Sequence, residues 1–254
     1  MVHGLEGSGE SGYMRSLSGA ALRAGFAAHR FHMRTCGGTE HLSKTLYHAG
    51  LTTDLRHVLD EFRRNTSVPA FLVGFSLGGN VVLKLAGEMR EEARAIIRGV
   101  CAVSAPLDLA KCARRMERPD NRYYGRRFVQ RMTERLSATG RYRETDLAAL
   151  RSVMEIDDRI TAPAFGFGNA ANYYRTQSAL QYLADIRVPA LLIHAKDDTM
   201  VPFEDYESEA ARTNPHIKLL TTEYGGHLGY IGRWPHRFWL DETIVGWMMA
   251  PVSC

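Results

Sequence analysis

One serine stands between two glycines in the stretch VGFSLGGN, at residues 73–80. The five residues Gly74 to Gly78 read G-x-S-x-G, the pattern of a nucleophilic serine on a tight turn between a strand and a helix. Glycines there remove the Cβ atoms that would clash with the crowded backbone. The pattern is short, and its weight comes from the apolar run before Ser76 and the helical pattern after it. Ser76 is therefore the candidate nucleophile.

A serine hydroxyl is a weak nucleophile unless a base takes its proton and a third group orients that base. His227, in YGGHLGY, is the candidate base because two glycines before it give a loop that can aim the ring. The acid is expected after a late strand, where LLIHAKDDTMVP supplies Asp197 and Asp198. We favour Asp198, with Asp197 open as an alternative and Asp108, in SAPLDLA, as a rival from the preceding strand.

An acyl-transfer site also needs two backbone N–H groups that hold the developing oxyanion. Leu77 supplies one, as the residue after the nucleophile. The glycine-rich stretch HGLEGSGESGY, at residues 3–13, predicts the other at Leu5. A phosphate-binding loop is excluded for this stretch because no Gly-Lys-Ser/Thr follows. Neither H-E-x-x-H nor a Cys/His cluster occurs, so we expect no metal and no cofactor.

The elements that must position these residues alternate along the chain. Apolar strand patterns and amphipathic helix patterns follow one another, which favours an α/β fold with a mostly parallel central sheet flanked by helices. Strands are predicted at 26–34, 68–75, 96–106, 188–198 and 217–227, and helices at 12–25, 51–64, 77–96 and 237–249. Residues from about 107 to 185 are mostly helical in pattern and read as an inserted cap. We expect a single domain over 1–254.

Composition narrows the function classes. The chain has 254 residues, of which 45% are hydrophobic, so it can bury a large core. Its formal charge of +4 is spread along the chain and does not indicate nucleic-acid binding. The denser basic run at 113–127 reads as a solvated helical face, with an anionic-ligand or membrane-surface patch as the alternative. No apolar stretch reaches the ~18 residues of a membrane span. We expect a cytoplasmic protein without stable membrane insertion.

The cysteines have no C-x-x-C spacing, which favours reduced structural thiols over disulfides or a metal site. They are Cys36, Cys101, Cys112 and Cys254.

Several longer stretches resemble the YheT-like branch of the α/β-hydrolases, which also includes medium-chain esterases, ethanol O-acyltransferase/esterases and some phospholipases. They run from His3 nearly to the C-terminus: HGLEGSGESGY, FHMRTCGGTE, LYHAGLTTDL, VGFSLGGN, SAPLDL, ITAPAFGFGNAANYYRTQSA, IRVPALLIHAKDDTMVP and GGHLGY. The resemblance implies an α/β-hydrolase fold and acyl-ester chemistry. It implies the same roles for Ser76, Asp198 and His227, with Leu5 and Leu77 as oxyanion donors. His32 and Thr35 depart from it, because the family has asparagine and glycine there.

These observations predict a serine carboxylesterase acting on short- to medium-chain acyl esters. An acyltransferase that passes the acyl group to an alcohol, and a lipid-binding protein without turnover, remain alternatives. Aromatic residues, mainly of the cap, are dense enough to line a lipophilic tunnel, which favours medium chains over acetate. The substrate-binding candidates are Phe75, Tyr123, Tyr124, Phe167, Tyr173 and Tyr174, with Phe128 and Phe165 as further lining residues.

Only Met1 and Val2 precede the oxyanion loop, although this fold places a central strand there. A strand typically takes about five or six residues. Either residues 26–34 pair directly with 68–75, or the gene product starts upstream. We favour an upstream start and expect the chain as given to be poorly soluble or weakly active.

Overall fold

A computed structural model describes residues 1–250. Its sheet has four strands whose spatial order follows the chain, and each neighbouring pair is parallel. Cys254 lies outside the described residues. The strands are β1 (Ala70–Phe75), β2 (Ile97–Val103), β3 (Ala190–Ala195) and β4 (Ile217–Thr222).

Helices follow or precede each strand. Those before β2 are α1 (Gly12–Arg23), α2 (Thr53–Asn65) and α3 (Leu77–Met89). Between β2 and β3 lie α4 (Leu109–Met116), α5 (Arg122–Ala138), α6 (Glu144–Ala148), α7 (Val153–Ile156), α8 (Ala162–Ala164) and α9 (Ala170–Gln177). The last two are α10 (Glu209–Thr213) and α11 (Trp239–Met249).

Apolar side chains cover both faces of the sheet because alternate residues of a strand point to opposite sides. In β2, Val100 and Ala102 face the core that includes α3, whereas Cys101 and Val103 face the core that includes α1 and α11. A strand buried on both faces reads as a continuous apolar run, as AFLVGF does in β1. The predicted mostly parallel sheet with helices on both faces is confirmed.

The predicted strand at 26–34 is wrong. This segment has no strand, and only Phe31 forms an isolated bridge, which is to Val2. Val2 in turn bridges to Gly74, so it lies between β1 and Phe31. Its N–H donates to the Val73 carbonyl at 2.8 Å, and its carbonyl accepts from the Phe75 N–H at 3.0 Å. The edge of β1 next to Ser76 is thereby hydrogen-bonded, without direct pairing of 26–34 to 68–75.

The chain between β2 and β3 is helical, as its pattern predicted. Here we call residues 109–185 the helical segment; it contains α4 to α9 and ends in a 3₁₀ turn, Ala179–Asp185. Many of its apolar side chains belong to the same core as α3, including Leu136 and Tyr174. The helical segment therefore packs onto the sheet domain on the side of Ser76.

Two further observations concern the chain as a whole. None of the helices formed by residues 1–250 is long and apolar enough to cross a membrane. Cys36, Cys101 and Cys112 are buried free thiols. Burial raises the pKa of each of them, to about 12 for Cys36 and Cys112.

Candidate active site

Ser76 lies between the last residue of β1 and the first residue of α3. Its backbone has φ +51° and ψ −123°, a region that residues other than glycine rarely adopt. A Cβ on Gly74 would lie 2.2 Å from the Gly78 carbonyl oxygen, and one on Gly78 would lie 2.4 Å from the Val2 carbonyl oxygen. Glycine is required at both positions because the turn brings backbone against backbone there. This strained turn places Ser76 at the junction between β1 and α3.

The structure brings Ser76, His227 and Asp198 into one hydrogen-bonded chain. The Ser76 Oγ is 2.8 Å from His227 Nε2, and His227 Nδ1 is 2.8 Å from Asp198 Oδ2. With the proton on Nδ1, the ring donates to the carboxylate and its Nε2 accepts the serine hydroxyl. This tautomer is the one in which an imidazole can take the serine proton.

The geometry distinguishes Asp198 from its two rivals. Asp197 accepts the Gly226 N–H at 2.8 Å, so its carboxylate holds the loop that carries His227. Asp108 caps the N-terminus of α4 by accepting the Lys111 N–H. Asp198 is buried, and its Oδ1 accepts the N–H groups of Met200 and Val201. Burial alone would raise the pKa of Asp198, but the hydrogen bond and charge of His227 and the two backbone donors hold it below its usual value.

The backbone N–H groups of Leu5 and Leu77, near Ser76, have no hydrogen-bond acceptor among residues 1–250. Both residues line the pocket that contains Ser76. The Leu5 loop lies directly against the serine, since a Cβ on Gly4 would be 3.1 Å from the Ser76 Cβ. Leu77 begins α3, where the helix dipole favours negative charge. The structure thus places both predicted oxyanion donors beside the serine.

Buried hydrogen bonds hold the loop of residues 3–7. The His3 ring accepts the Met33 N–H at Nε2 and lies 2.8 Å from the Gly4 carbonyl oxygen at Nδ1. Burial lowers the pKa of His3 to about 4, so the ring is neutral near pH 7. The Gly4 N–H donates to the Tyr13 hydroxyl at 3.0 Å. The Gly7 N–H, beyond Leu5, donates to the Gly4 carbonyl at 3.0 Å, so the loop is fixed on both sides of Leu5.

A buried ion pair ties this loop to α5. Arg135 Nε lies 2.9 and 3.0 Å from the two carboxylate oxygens of Glu6, and both side chains are buried. The Glu6 N–H and carboxylate both meet the Tyr47 hydroxyl, at 3.1 and 3.0 Å. Arg135 also donates from Nη1 to the Thr35 hydroxyl at 3.0 Å. Thr35, which stands where the family has glycine, has φ +58° and contributes this acceptor.

The pocket at Ser76 has a volume of about 70 Å³ and a mostly apolar lining. It is formed by the oxyanion loop, the elbow, and helices of the helical segment. Its side chains include Leu5, Leu77, Pro106, Leu109, Ala113, Met116, Phe128, Met132, Val153, Tyr173, Tyr174 and Met200.

Some of the predicted substrate-binding residues line the pocket and the others do not. Tyr173 and Tyr174 line the pocket, as does Phe128. Phe167 stacks behind Tyr173, with ring centroids 5.3 Å apart, and is not part of the lining. Phe75 is fully buried in β1 against Tyr13, on the other side of the sheet. The remaining two, Tyr123 and Tyr124, are 71% and 46% exposed and lie outside the pocket.

The sequence patterns did not predict several polar residues of the pocket, among them Tyr47, His48, Arg135 and Asp157. Burial, with nearby Lys84, lowers the pKa of His48 to about 3, and burial raises the pKa of Asp157 to about 6. Tyr47 and His48 lie in LYHAGLTTDL, which carries the family resemblance, and Asp157 lies shortly before ITAPAFGFG, which also carries it. That proximity was the available signal. Arg135 has no such signal.

Within residues 1–250, no group of three histidine, cysteine or acidic side chains is placed to hold a metal ion.

This chain is similar to known proteins in both sequence and fold. A family model described as the alpha/beta hydrolase fold matches residues 1–233. The putative esterase YheT of Escherichia coli is 35% identical over 98% of this chain and 75% of its own length. The medium-chain fatty acid ethyl ester synthase/esterase 2 of Saccharomyces cerevisiae is 27% identical over 96% of this chain, which spans only 60% of the yeast protein.

Among solved structures, an esterase of Pyrococcus furiosus superposes with a TM-score of 0.63 at 20% identity, over 97% of this chain and 80% of that one. This likeness concerns the fold. Together with the sequence matches, it shows that the chain belongs to the YheT-like branch of the α/β-hydrolase fold family.

Proposed function

We propose that the protein is a serine carboxylesterase that cleaves short- to medium-chain acyl esters through an acyl-serine intermediate. The observation that carries this proposal is the Ser76–His227–Asp198 chain, with 2.8 Å at each link, beside the unpaired N–H groups of Leu5 and Leu77. The YheT relative is named a putative esterase and the yeast relative an ester synthase/esterase, which supports ester chemistry here.

Acylation uses all of these groups, and His227 acts twice. The Ser76 Oγ attacks the ester carbonyl carbon while its proton passes to His227 Nε2. The carbonyl electron pair moves to oxygen, and the Leu5 and Leu77 N–H groups stabilise that charge. Collapse of the intermediate breaks the bond to the alcohol, which leaves with the proton from Nε2. Asp198 remains ionised and stabilises the imidazolium between these two transfers.

Deacylation repeats the steps with water, which loses its proton to His227 and releases a carboxylic acid. An alcohol in place of water gives a new ester instead. The ester-synthase name of the yeast relative favours this transfer as a second candidate. Adding ethanol to the assay distinguishes the two, because transfer yields an ethyl ester and hydrolysis yields the acid.

The apolar lining favours a hydrocarbon chain in the acyl position. Each buried methylene contributes about 0.8 kcal/mol of transfer free energy. We therefore expect medium-chain esters to be better substrates than acetates. We also propose a cytoplasmic location, which the three buried free thiols support because reduced cysteines are typical of that compartment.

A fluorophosphonate probe tests the nucleophile without knowledge of the substrate. We expect stoichiometric labelling of the wild type and none of Ser76→Ala. Ser104→Ala is the matched control, since Ser104 is a buried serine that bonds to the Tyr230 hydroxyl away from the pocket. Labelling that survives in Ser76→Ala would refute the assignment.

A panel of p-nitrophenyl esters of graded acyl length then tests turnover. The proposal predicts hydrolysis with an optimum above acetate. A folded protein that the probe leaves unlabelled, and that binds lipid without cleaving any ester, would instead be the binding protein without turnover.

A further inference from the structure

Tyr174 belongs to the walls of two cavities. It lines the pocket at Ser76, and it also lines a separate groove on the surface of the helical segment. The Tyr174 side chain is itself buried, only 4% exposed. Tyr174 is therefore a wall residue that the two cavities share.

The two cavities differ greatly in size. The pocket at Ser76 has about 70 Å³ and the groove about 510 Å³. The pocket alone therefore accommodates a shorter acyl chain than the pocket and the groove together. A longer chain needs additional space.

The groove offers apolar space of the right kind. Its lining includes Met154, Ala170, Ala171 and Leu180, with Arg114 and Arg175 among its exposed residues. Another groove, of about 290 Å³, meets the pocket at Met116 and Val153, but the rest of its lining is glycine, serine and charged side chains. A hydrocarbon chain would bury little apolar surface in this charged groove, so entering it would contribute little favourable transfer free energy.

Burial and one hydrogen bond hold the Tyr174 ring in place. Its hydroxyl donates to Asp157 Oδ2 at 2.7 Å, and the centroid of the Tyr173 ring lies 5.1 Å from its own. The hydrogen bond contributes only about 0.5–1.5 kcal/mol, but the packing of a buried aromatic side chain contributes about 3–5 kcal/mol. Removing the ring by mutation therefore opens this wall far more readily than a bound chain can displace it.

We infer that Tyr174 is the residue that sets acyl-chain length: short chains occupy the pocket, and longer chains reach the groove lined by Ala171 and Leu180 only when this ring is removed or displaced. The inference rests on the proposed esterase function and deepens it by naming the acyl selectivity. It assigns the groove as the site of the distal part of a long acyl chain.

The test uses p-nitrophenyl alkylphosphonates with two, six and twelve carbons on the wild-type protein and on Tyr174→Ala. Ser76 Oγ attacks phosphorus and displaces p-nitrophenolate, so the rate of its release reports on chain fit without turnover. For Tyr174→Ala we expect the ratio of twelve-carbon to two-carbon rate constants to rise by at least about tenfold, the effect of burying roughly two more methylenes. The same ratio unchanged would overturn the inference.

Two further variants keep the result interpretable. Ala171→Trp in the Tyr174→Ala background fills the exposed groove without touching the pocket, and the gain for long chains should disappear. Arg126→Ala changes an exposed residue of the charged groove that does not line the pocket, and it should leave the length ratio near that of the wild type. If Tyr174→Ala does not fold, Tyr174→Leu takes its place with a smaller increase expected.

The outcomes separate this inference from the proposed function. If no phosphonate reacts with any folded variant, the serine-hydrolase function fails. If the wild type reacts but the folded Tyr174 variants keep the wild-type length ratio, only the assignment of Tyr174 and its groove is wrong.

Discussion

At the scale of single residues, His227 stands between Ser76 and Asp198 and makes both short contacts of the site. Removing any one member therefore disables the same proton transfer. We expect Ser76→Ala and His227→Ala each to lower kcat by a factor on the order of 10⁴ or more, and the double variant to lose only a few-fold more. The measurement is kcat on a short-chain ester for the two single variants and the double variant. Multiplicative losses would mean that these residues act independently.

Asp157 makes the stability of the folded protein depend on pH. Burial raises its pKa from 3.8 to about 6, so the folded protein holds this proton more tightly than the unfolded chain. The resulting stabilisation is complete below about pH 4 and is lost as pH rises through about 6, by roughly 3 kcal/mol in all. Asp157→Asn stays neutral and should lack this loss, while its amide oxygen can still accept from Tyr174.

Chemical denaturation of the wild type and Asp157→Asn at pH 4.5 and 7.5 measures the difference. The free energy of unfolding of Asp157→Asn minus that of the wild type should be larger at pH 7.5 than at pH 4.5. Asp158→Asn, the same change at the exposed neighbour, is the control. Parallel pH profiles for the wild type and Asp157→Asn would argue against a buried neutral carboxyl group.

The sequence was informative about the residues that chemistry constrains and uninformative about those that packing recruits. Ser76 could be predicted from the G-x-S-x-G motif of a nucleophile elbow. His227 could be predicted from its place after the acid in the chain and from the two glycines before it. Asp157 and Arg135 come from helices whose partners are distant in sequence, so no local pattern marks them as pocket residues. Tyr123 and Tyr124 show the reverse: aromatic side chains on α5 predicted a lining, but the face that carries them is exposed.

At the scale of elements, the Glu6–Arg135 pair connects α5 of the helical segment to the oxyanion loop. Removing one partner of a buried ion pair leaves an uncompensated charge, which typically costs about 3–5 kcal/mol. We expect Arg135→Met to destabilise the protein by that amount and the double variant Glu6→Gln/Arg135→Met to be more stable than the single one. Arg131→Met, an exposed arginine one turn earlier on α5, is the control.

Arg135 also acts as a positioning residue, because Glu6 adjoins the oxyanion donor Leu5 and shares the Tyr47 hydroxyl. In Arg135→Met, kcat should fall by more than KM rises, and a boronic-acid analogue of the tetrahedral intermediate should bind more weakly. The folded double variant provides the decisive comparison. A purely structural role would leave its kcat at the wild-type value.

The strands show how far local patterns reach. β1 to β4 match four predicted strands. The mostly buried strands β1 to β3 have a nearly continuous apolar sequence, whereas β4, at the edge of the sheet, is only partly buried. Residues 26–34 also carry apolar residues, but four histidines and arginines interrupt them, and a strand also needs a partner of matching length. Val2 alone lies between this segment and β1. The basic run 113–127, predicted as a solvated face, is largely exposed, and Arg118 there pairs with Asp120.

At the scale of the whole molecule, backbone hydrogen bonding is uneven. The four strands form a continuous ladder, whereas residues 26–52 contain neither a helix nor a strand. A few contacts fix the ends of that segment: the Phe31 N–H donates to Met1, the Met33 N–H to His3, and the Ala49 N–H to the Tyr173 hydroxyl at 2.8 Å. Between these ends, in 37–46, most N–H groups have no acceptor among residues 1–250.

Hydrogen exchange followed by mass spectrometry should reproduce this division, because amides without an internal acceptor exchange without global unfolding. We expect peptides from 37–46 to exchange at the earliest times, peptides over 29–33 and 47–50 to be intermediate, and those over β1 to β3 to be slowest. Phosphonylation of Ser76 should slow exchange in residues 3–7, since the oxyanion donor at Leu5 then gains an acceptor. Uniform protection from 26 to 103 would mean that Val2 and its few neighbours hold this edge of the sheet as firmly as a full strand does.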